Sequence, residues 1–173
     1  LSRNQSALWF LHQLSPHTKA ANASLLLRVS GPLDQRMLVR ALEKLAGRHP
    51  CLRTTYVTRQ GIPFQKIYPT FPLQFAETDA SGWNWDDVKT CTERTAGLPF
   101  DLERGPLWRA QLFHRSPSEA YLLLAAHHIA VDGWSMKVLI EDLKRLYEGE
   151  RTGEKRPLPE PAAQYADFVY WQN

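Results

Sequence analysis

An apolar segment that ends in two histidines constrains this chain more than any other part of it. Residues 121–126 (YLLLAA) have a length that suits one buried strand. His127 and His128 follow directly, and Asp132-Gly133 then precede a segment whose apolar residues recur every three or four positions. That spacing predicts a helix. We therefore expect the histidines where a buried strand ends and a helix begins, a place where a rigid scaffold commonly presents side chains for chemistry.

The two histidines are expected to have different roles. Adjacent strand residues point to opposite faces, so one ring should face a crevice while the other lies inside the fold. A metal site needs at least three convergent ligands, and this alternation argues against convergence of His127, His128 and Asp132, so we predict no metal. A histidine pair before an Asp-Gly turn is also an ordinary packing arrangement.

The Asp132-Gly133 pair has alternative interpretations. Asp132 could cap the following helix by accepting the backbone N–H of Ser135. It could instead be a buried carboxylate, which would need a cationic or multiply hydrogen-bonded partner. Gly133 indicates either a close backbone approach or a positive φ angle.

Residues 127–135 (HHIAVDGWS) resemble the active-site motif of condensation domains of nonribosomal peptide synthetases. These domains belong to the chloramphenicol acetyltransferase-like superfamily. The motif in the family is H-H-x-x-x-D-G, and this chain carries it complete. Cyclisation domains of the same family have Asp in place of the first histidine, which distinguishes them from this chain. An epimerisation domain is a further alternative within the family.

Three more segments resemble conserved blocks of the family, in the family's order. Residues 2–11 (SRNQSALWFL) resemble the first block, and residues 48–56 (RHPCLRTTY) resemble the second. Residues 165–171 (YADFVYW) resemble the fourth. The second block departs from the usual pattern at Pro50, where the family has Glu, and at Tyr56, where it has Phe.

The resemblance implies an α/β fold, the two-layer α/β sandwich of the chloramphenicol acetyltransferase type. A condensation domain has two such halves arranged as a V, with the active site between them. This chain ends just after the fourth block. Residues 1–173 are therefore expected to be the N-terminal subdomain, with the C-terminal subdomain absent, and the isolated lobe is expected to be inactive.

The resemblance also assigns roles to the site residues. His128 is expected to take the proton of an attacking amine or to position that amine, since imidazole has a suitable ordinary pKa of ~6.5. Asp132 is expected to hold the motif loop, paired with Arg53 of the second block. Gly133 is expected to permit the turn and to let its backbone N–H approach the reacting group. His127 is expected to support the loop.

The reaction implied is amide formation between two substrates carried as thioesters on the phosphopantetheine arms of carrier proteins. The domain itself is expected to bind no cofactor. Its expected partners are peptidyl or acyl carrier proteins, the C-terminal half of the domain and a neighbouring adenylation domain. Two other functions share the motif or the fold: an acyltransferase that uses a soluble acyl-CoA donor, and a non-catalytic half-domain that binds a carrier protein.

Composition excludes several other classes. The 21 basic and 18 acidic residues give a net charge of +3, and the charges are scattered, so we expect no nucleic-acid partner. No apolar run approaches the ~20 residues of a membrane span, and no signal peptide is visible. Cys51 and Cys91 lie far apart and are expected to be free thiols in a reducing, cytoplasmic environment.

Periodicity and turn residues predict the remaining elements. Asp34 is expected to cap the second helix and Gly47 to end it. The first helix is expected to turn a stripe of four apolar residues inward, namely Ala7, Leu8, Leu11 and Leu14. The predicted helices cover 4–14, 34–47, 84–95 and 165–171, the predicted strands cover 23–29, 52–57, 62–68, 73–75, 107–114 and 121–126, and a loop is predicted over 149–161.

Overall fold

The structure, a computed structural model, describes residues 1–153, 158–159 and 163–172. It is a mixed α/β fold whose main sheet has four strands in the order β1-β6-β5-β4, beside a two-stranded hairpin of β2 and β3. The strands are β1 (Asn22–Ser30), β2 (Thr54–Arg59), β3 (Ile62–Ile67), β4 (Phe75–Asp79), β5 (Trp108–Ser116) and β6 (Glu119–His127). The helices are α1 (Arg3–Leu14), α2 (Gln35–Arg48), α3 (Trp85–Ala96), α4 (Gly133–Thr152) and α5 (Tyr165–Gln172).

Strand β6 lies inside the main sheet and carries the apolar segment that ends in the histidines. It pairs antiparallel with β1 on one side and with β5 on the other. Leu122 and Leu124 join the core under α2 and α4, whereas Leu123 packs with Phe113 on the opposite face, where α3 contributes Cys91. Because successive side chains alternate between faces, a strand covered on both sides is apolar throughout, as its sequence predicted.

Helices α2 and α4 cover one face of the sheet and are linked by a buried polar cluster. Arg48 Nε donates to Asp142 Oδ2 at 2.8 Å, and His49 Nε2 lies 2.8 Å from the same oxygen. Burial lowers the pKa of His49, although the neighbouring carboxylate opposes that shift. The cluster fixes the end of α2 against the middle of α4, the helix that begins at the Asp132-Gly133 pair.

The hairpin confirms the turn predicted between its strands. Gln60 has a φ of 53° and Gly61 a φ of 80°, so both central residues of the turn are left-handed, which suits the twist of a two-residue hairpin. The first strand of the hairpin, predicted to start at residue 52, starts later. Pro50–Arg53 forms a short 3₁₀ helix, and β2 begins at Thr54. Proline at the first position favours that helical turn, because its fixed φ is already helical.

Two predictions about helix ends have different outcomes. Asp34 caps α2 as expected, its side chain accepting from the backbone N–H of Met37. Gly47 does not end that helix, which continues to Arg48 and is capped at His49. The helix stops there because Pro50 cannot extend it. The predicted loop over 149–161 begins inside α4, which runs to Thr152; residues 154–157 and 160–162 lie outside the described residues.

Helix α1 differs from prediction in the face that it buries. Ser2 is the N-cap and forms a capping box with Gln5, which is itself buried. Leu11 and Leu14 were expected to face inward, but they are 55% and 67% exposed. The polar contacts of Gln5 turn the helix away from its apolar stripe, so tertiary contacts override the periodicity. No helix among the described residues is long and apolar enough to cross a membrane.

Candidate active site

The motif turn connects the end of β6 to the start of α4 and is held by backbone hydrogen bonds. The N–H of His127 donates to the carbonyl of Leu107 at 2.9 Å. The N–H of His128 donates to the carbonyl of Ala21 at 2.7 Å. The turn then closes on itself through the N–H of Ala130, which donates to the carbonyl of His127 at 2.9 Å. These backbone hydrogen bonds to three parts of the chain therefore fix the backbone positions of His127 and His128.

His127 lies inside the fold, with only 2% of its surface exposed. Its Nδ1 accepts the backbone N–H of Ile129 at 3.1 Å, which places the ring proton on Nε2. The rings of His12 and Phe100 meet it edge-on, with centroids 5.9 and 6.4 Å away. Burial, aided by the neighbouring His12 and His128, lowers the pKa of His127 to about 4. The ring is therefore neutral near pH 7.

His128 is exposed and lines a cavity of about 420 Å³. Its Nδ1 lies 3.2 Å from the carbonyl oxygen of Val131. A carbonyl oxygen can only accept, so this contact requires the proton to be on Nδ1. Within the described part of the chain, Nε2 has no hydrogen-bond partner. The tautomer thus leaves a free lone pair on Nε2, as an imidazole needs in order to accept a proton.

Five parts of the chain form the cavity beside His128. They are the first half of α1, the short 3₁₀ helix, the motif turn, the first turn of α4 and the start of α5. Cys51 lies in this wall as a free thiol, and burial raises its pKa to about 11, so it is protonated at neutral pH. The lining residues are Asn4, Gln5, Ala7, Leu8, Cys51, His128, Ile129, Ala130, Val131, Asp132, Ser135 and Tyr165.

Asp132 is the N-cap of α4, the first of its two candidate roles. Its Oδ1 accepts the backbone N–H and the hydroxyl of Ser135, both at 2.7 Å. The same two hydrogen bonds lower the pKa of Asp132. The carboxylate is exposed rather than buried, so it does not need a cationic partner.

The predicted ion pair between Arg53 and Asp132 is not formed. Arg53 Nε donates to the carbonyl of Ala46 at 2.8 Å, and its other nitrogens donate to the carbonyls of Gly47 and Tyr68. The 3₁₀ helix directs Arg53 to the end of α2, where the last carbonyls lack helical partners and attract a cation. Arg53 therefore supports the packing of α2 rather than the motif turn.

Gly133 also differs from expectation. Its φ is not in the left-handed region, and outside its chain neighbours and the backbone of its own helix no atom lies within 4 Å of the position that a Cβ would occupy. The residue lines a separate groove between β1 and α4 rather than the cavity beside His128. Neither of the two backbone reasons for a glycine that the sequence suggested applies here.

Replacing Asp132 should affect stability through the helix cap. Asp132→Ala removes both bonds to Ser135 and should lower the free energy of unfolding by about 1 kcal/mol. Asp132→Asn should retain most of the wild-type stability, because asparagine caps helices about as well as aspartate. Urea unfolding of the chain measures both. If Asp132→Asn were as damaging as Asp132→Ala, the charge rather than the cap would be what matters.

Sequence analysis did not identify two side chains that hold the motif turn. Tyr56 and Gln5 both donate to the carbonyl of Ile129, at 2.8 and 3.2 Å. Both residues lie in segments that resemble family blocks, which is the signal that could have drawn attention to them. Among the described residues, no group of three or more His, Cys, Asp or Glu side chains is arranged to hold a metal ion.

Comparison with known proteins agrees with this geometry. The family model for the Condensation domain matches residues 1–173. Chondramide synthase cmdD of Chondromyces crocatus is 39% identical over 176 residues, covering 99% of this chain. The first condensation domain of the calcium-dependent antibiotic synthetase, solved with a substrate analogue, superposes with a TM-score of 0.90 at 26% identity over 99% of this chain. The chain therefore belongs to the condensation-domain family.

A third relative was solved in a complex with another protein. The X-domain of teicoplanin biosynthesis, bound to OxyB, has a TM-score of 0.88 and 32% identity over 99% of this chain. The chain spans only part of each relative: 4% of chondramide synthase, 42% of the condensation domain and 37% of the X-domain structure. The relatives confirm the chloramphenicol acetyltransferase-like α/β fold that the sequence predicted.

Proposed function

We propose that residues 1–173 form the N-terminal subdomain of a condensation domain, and that His128 acts in amide formation once the domain is complete. The observation that carries this proposal is the state of its imidazole. Nδ1 is occupied by the carbonyl of Val131, while Nε2 is free on a side chain that lines the cavity. An imidazole held this way can accept a proton without first losing one.

The proposed reaction joins an amine and a thioester, each carried on a phosphopantetheine arm of a carrier protein. The amine nitrogen of the acceptor attacks the thioester carbon of the donor; a C–N bond forms and the C–S bond breaks. An α-amino group has a pKa of about 7.7–8.0, so much of it is already neutral near pH 7. His128 would hold this amine in line, take its proton as positive charge develops, and return a proton to the departing thiolate.

The other motif residues act indirectly in this proposal. His127 supports the turn as a neutral, buried ring, and Asp132 fixes the start of α4. Gly133 lines a separate groove between β1 and α4, so its contribution to this reaction would be limited to permitting the start of the helix. The domain binds no cofactor of its own; the phosphopantetheine arms belong to its substrates.

Exposed apolar side chains support the view that a second half completes the domain. Leu14, Trp134 and Trp171 are 67%, 73% and 81% exposed. Single exposed hydrophobic residues are ordinary, but these three lie on α1, α4 and α5, the helices that contribute residues to the cavity, and so suit a docking surface. The partners we propose are the C-terminal half of the domain, two carrier proteins and the neighbouring adenylation domain of a synthetase.

An assay with two loaded carrier proteins tests this function. The chain is assayed alone and mixed with the C-terminal half of the same condensation domain, and the amide product is measured. We expect product only in the mixture. Product from the chain alone would show that the second half is not needed. If both halves fold and no product forms, an acyltransferase with a soluble acyl-CoA donor is the next activity to assay.

A binding role without catalysis is the second candidate. The relative from teicoplanin biosynthesis was solved in a complex with OxyB, so a domain of this fold can serve as a docking partner. In that case a carrier protein would bind the completed domain, but neither a carrier-bound nor a soluble donor would give product. Titration of a loaded carrier protein, followed by calorimetry, separates binding from turnover.

A further inference from the structure

The carbonyl of Ile129 is held by two side chains that approach it from distant parts of the chain. Ile129 follows His128 in the motif turn and is buried. The hydroxyl of Tyr56, on β2, donates to this carbonyl at 2.8 Å, and Nε2 of Gln5, on α1, donates to it at 3.2 Å. Gln5 Nε2 also lies 2.9 Å from the Tyr56 hydroxyl. The three groups form a closed, buried polar triangle.

Both donors are held in place by hydrogen bonds to other parts of the chain, so they would not move with the motif turn if it shifted. Gln5 Oε1 accepts from Gln65 Nε2 at 2.9 Å and from the backbone N–H of Ser2 at 3.0 Å. The backbone N–H of Tyr56 donates to the carbonyl of Leu102 at 2.7 Å. Because a buried carbonyl without a donor costs free energy, the turn is most stable where both donors reach it. The position of Ile129 is therefore set by α1 and by the hairpin.

The same turn determines the orientation of the His128 ring. Two residues after Ile129, the carbonyl of Val131 accepts the Nδ1 proton of His128. A shift of the Ile129 peptide would move the Val131 carbonyl with it, since only Ala130 separates them. The imidazole would then lose the contact that keeps its proton on Nδ1 and its free nitrogen available.

We propose that Tyr56 and Gln5 are positioning residues that fix the tautomer and orientation of His128 through the Ile129 carbonyl. The resemblance does not supply this role for Tyr56, because the second family block usually has Phe there, without a hydroxyl. The geometric part of the inference stands independently of catalysis. Its consequence for rate rests on the proposed function.

The first test is Tyr56→Phe, which keeps the buried ring and removes the donor. In the ¹⁵N spectrum of the chain at alkaline pH, wild type should show a single neutral tautomer of His128, with the proton on Nδ1. The variant should show a mixture of both tautomers. In the complete condensation domain, kcat should fall about tenfold with the KM for each carrier protein nearly unchanged, as expected for a misplaced reacting group.

The matched control is Tyr147→Phe. The hydroxyl of Tyr147, on α4, accepts the backbone N–H of Asp34 at 2.9 Å and is remote from the motif turn. Tyr147→Phe should lose one tyrosine hydrogen bond, here an exposed one, without changing the tautomer of His128. Gln5→Met removes the other donor to the Ile129 carbonyl and keeps a side chain of similar size. It should change the tautomer of His128 in the same direction as Tyr56→Phe. If Tyr56→Phe does not fold, Gln5→Met provides the test in its place.

The outcomes separate this inference from the proposed function. An unchanged tautomer in folded Tyr56→Phe and Gln5→Met overturns the inference, even if their melting temperatures fall. A changed tautomer with unchanged kcat overturns its catalytic part. If the wild-type complete domain makes no amide, the proposed function fails, while the ¹⁵N spectra still decide whether these residues position His128.

Discussion

His128→Ala should reduce amide formation by the complete condensation domain about 10²- to 10⁴-fold, the contribution typical of a positioned acid–base group. The side chain is exposed, and its ring hydrogen-bonds to the carbonyl of Val131. Because the side chain is exposed, removing it should leave the melting temperature of the chain nearly unchanged. The assay is single-turnover amide formation between two loaded carrier proteins, with circular dichroism to follow unfolding.

A second substitution at this position separates proton transfer from positioning. His128→Asn retains an N–H donor that can reach the carbonyl of Val131, but it has no basic nitrogen. If His128 takes the proton, His128→Asn should be as inactive as His128→Ala. Substantial activity in His128→Asn would mean that a hydrogen-bonding side chain is sufficient. His17→Ala, at an exposed histidine beyond α1, is the control and should retain full activity.

Replacing the buried His127 should change how the stability of the chain depends on pH. In the folded chain its pKa is lowered to about 4, whereas in the unfolded chain it returns to about 6.5. The unfolded state therefore binds more protons between these values, so stability falls as pH falls from 6.5 to 4. The loss from this one residue is about 3 kcal/mol and is complete below pH 4.

The comparison that tests this is His127→Asn against wild type, in urea at several pH values. The side-chain oxygen of the introduced asparagine can still accept the N–H of Ile129, and the amide does not titrate. The variant should be less stable at pH 7, because it leaves a space beside Phe100 and His12, but its stability should fall less steeply toward pH 4. His49, whose pKa is also lowered, adds a slope of the same sign to both proteins. Equal slopes in the two proteins would contradict the neutral, buried state of His127.

The sequence predicted those features that depend on neighbouring residues. The apolar run of β6 is buried on both faces, and Asp132 caps α4 through Ser135, three positions later. Alternation within a strand also predicted that one histidine would be buried and the other exposed. Each of these rests on contacts within a few residues, or on a periodicity that a single element imposes.

Features that depend on distant residues could not be predicted in this way. The predicted partner of Arg53 was wrong because Pro50 starts a helical turn, and this turn directs the guanidinium to the end of α2. The buried side of α1 is set by Gln5, whose partners Tyr56 and Ile129 lie far along the chain. A match to a family block identifies such residues as candidates, but it does not say which atoms they contact.

The pairing of β1 with β6 has a consequence for the order in which a ribosome delivers this site. Asn22 pairs with His127, so roughly a hundred residues must be synthesised after β1 before its partner strand exists. Until then β1 has no strand to pair with, and the carbonyl of Ala21 lacks the His128 N–H that it accepts in the folded chain. The motif turn thus takes its final geometry only after most of the chain has left the exit tunnel. A nascent chain stopped before β6 would expose an unpaired apolar edge, the kind of segment that chaperones shield.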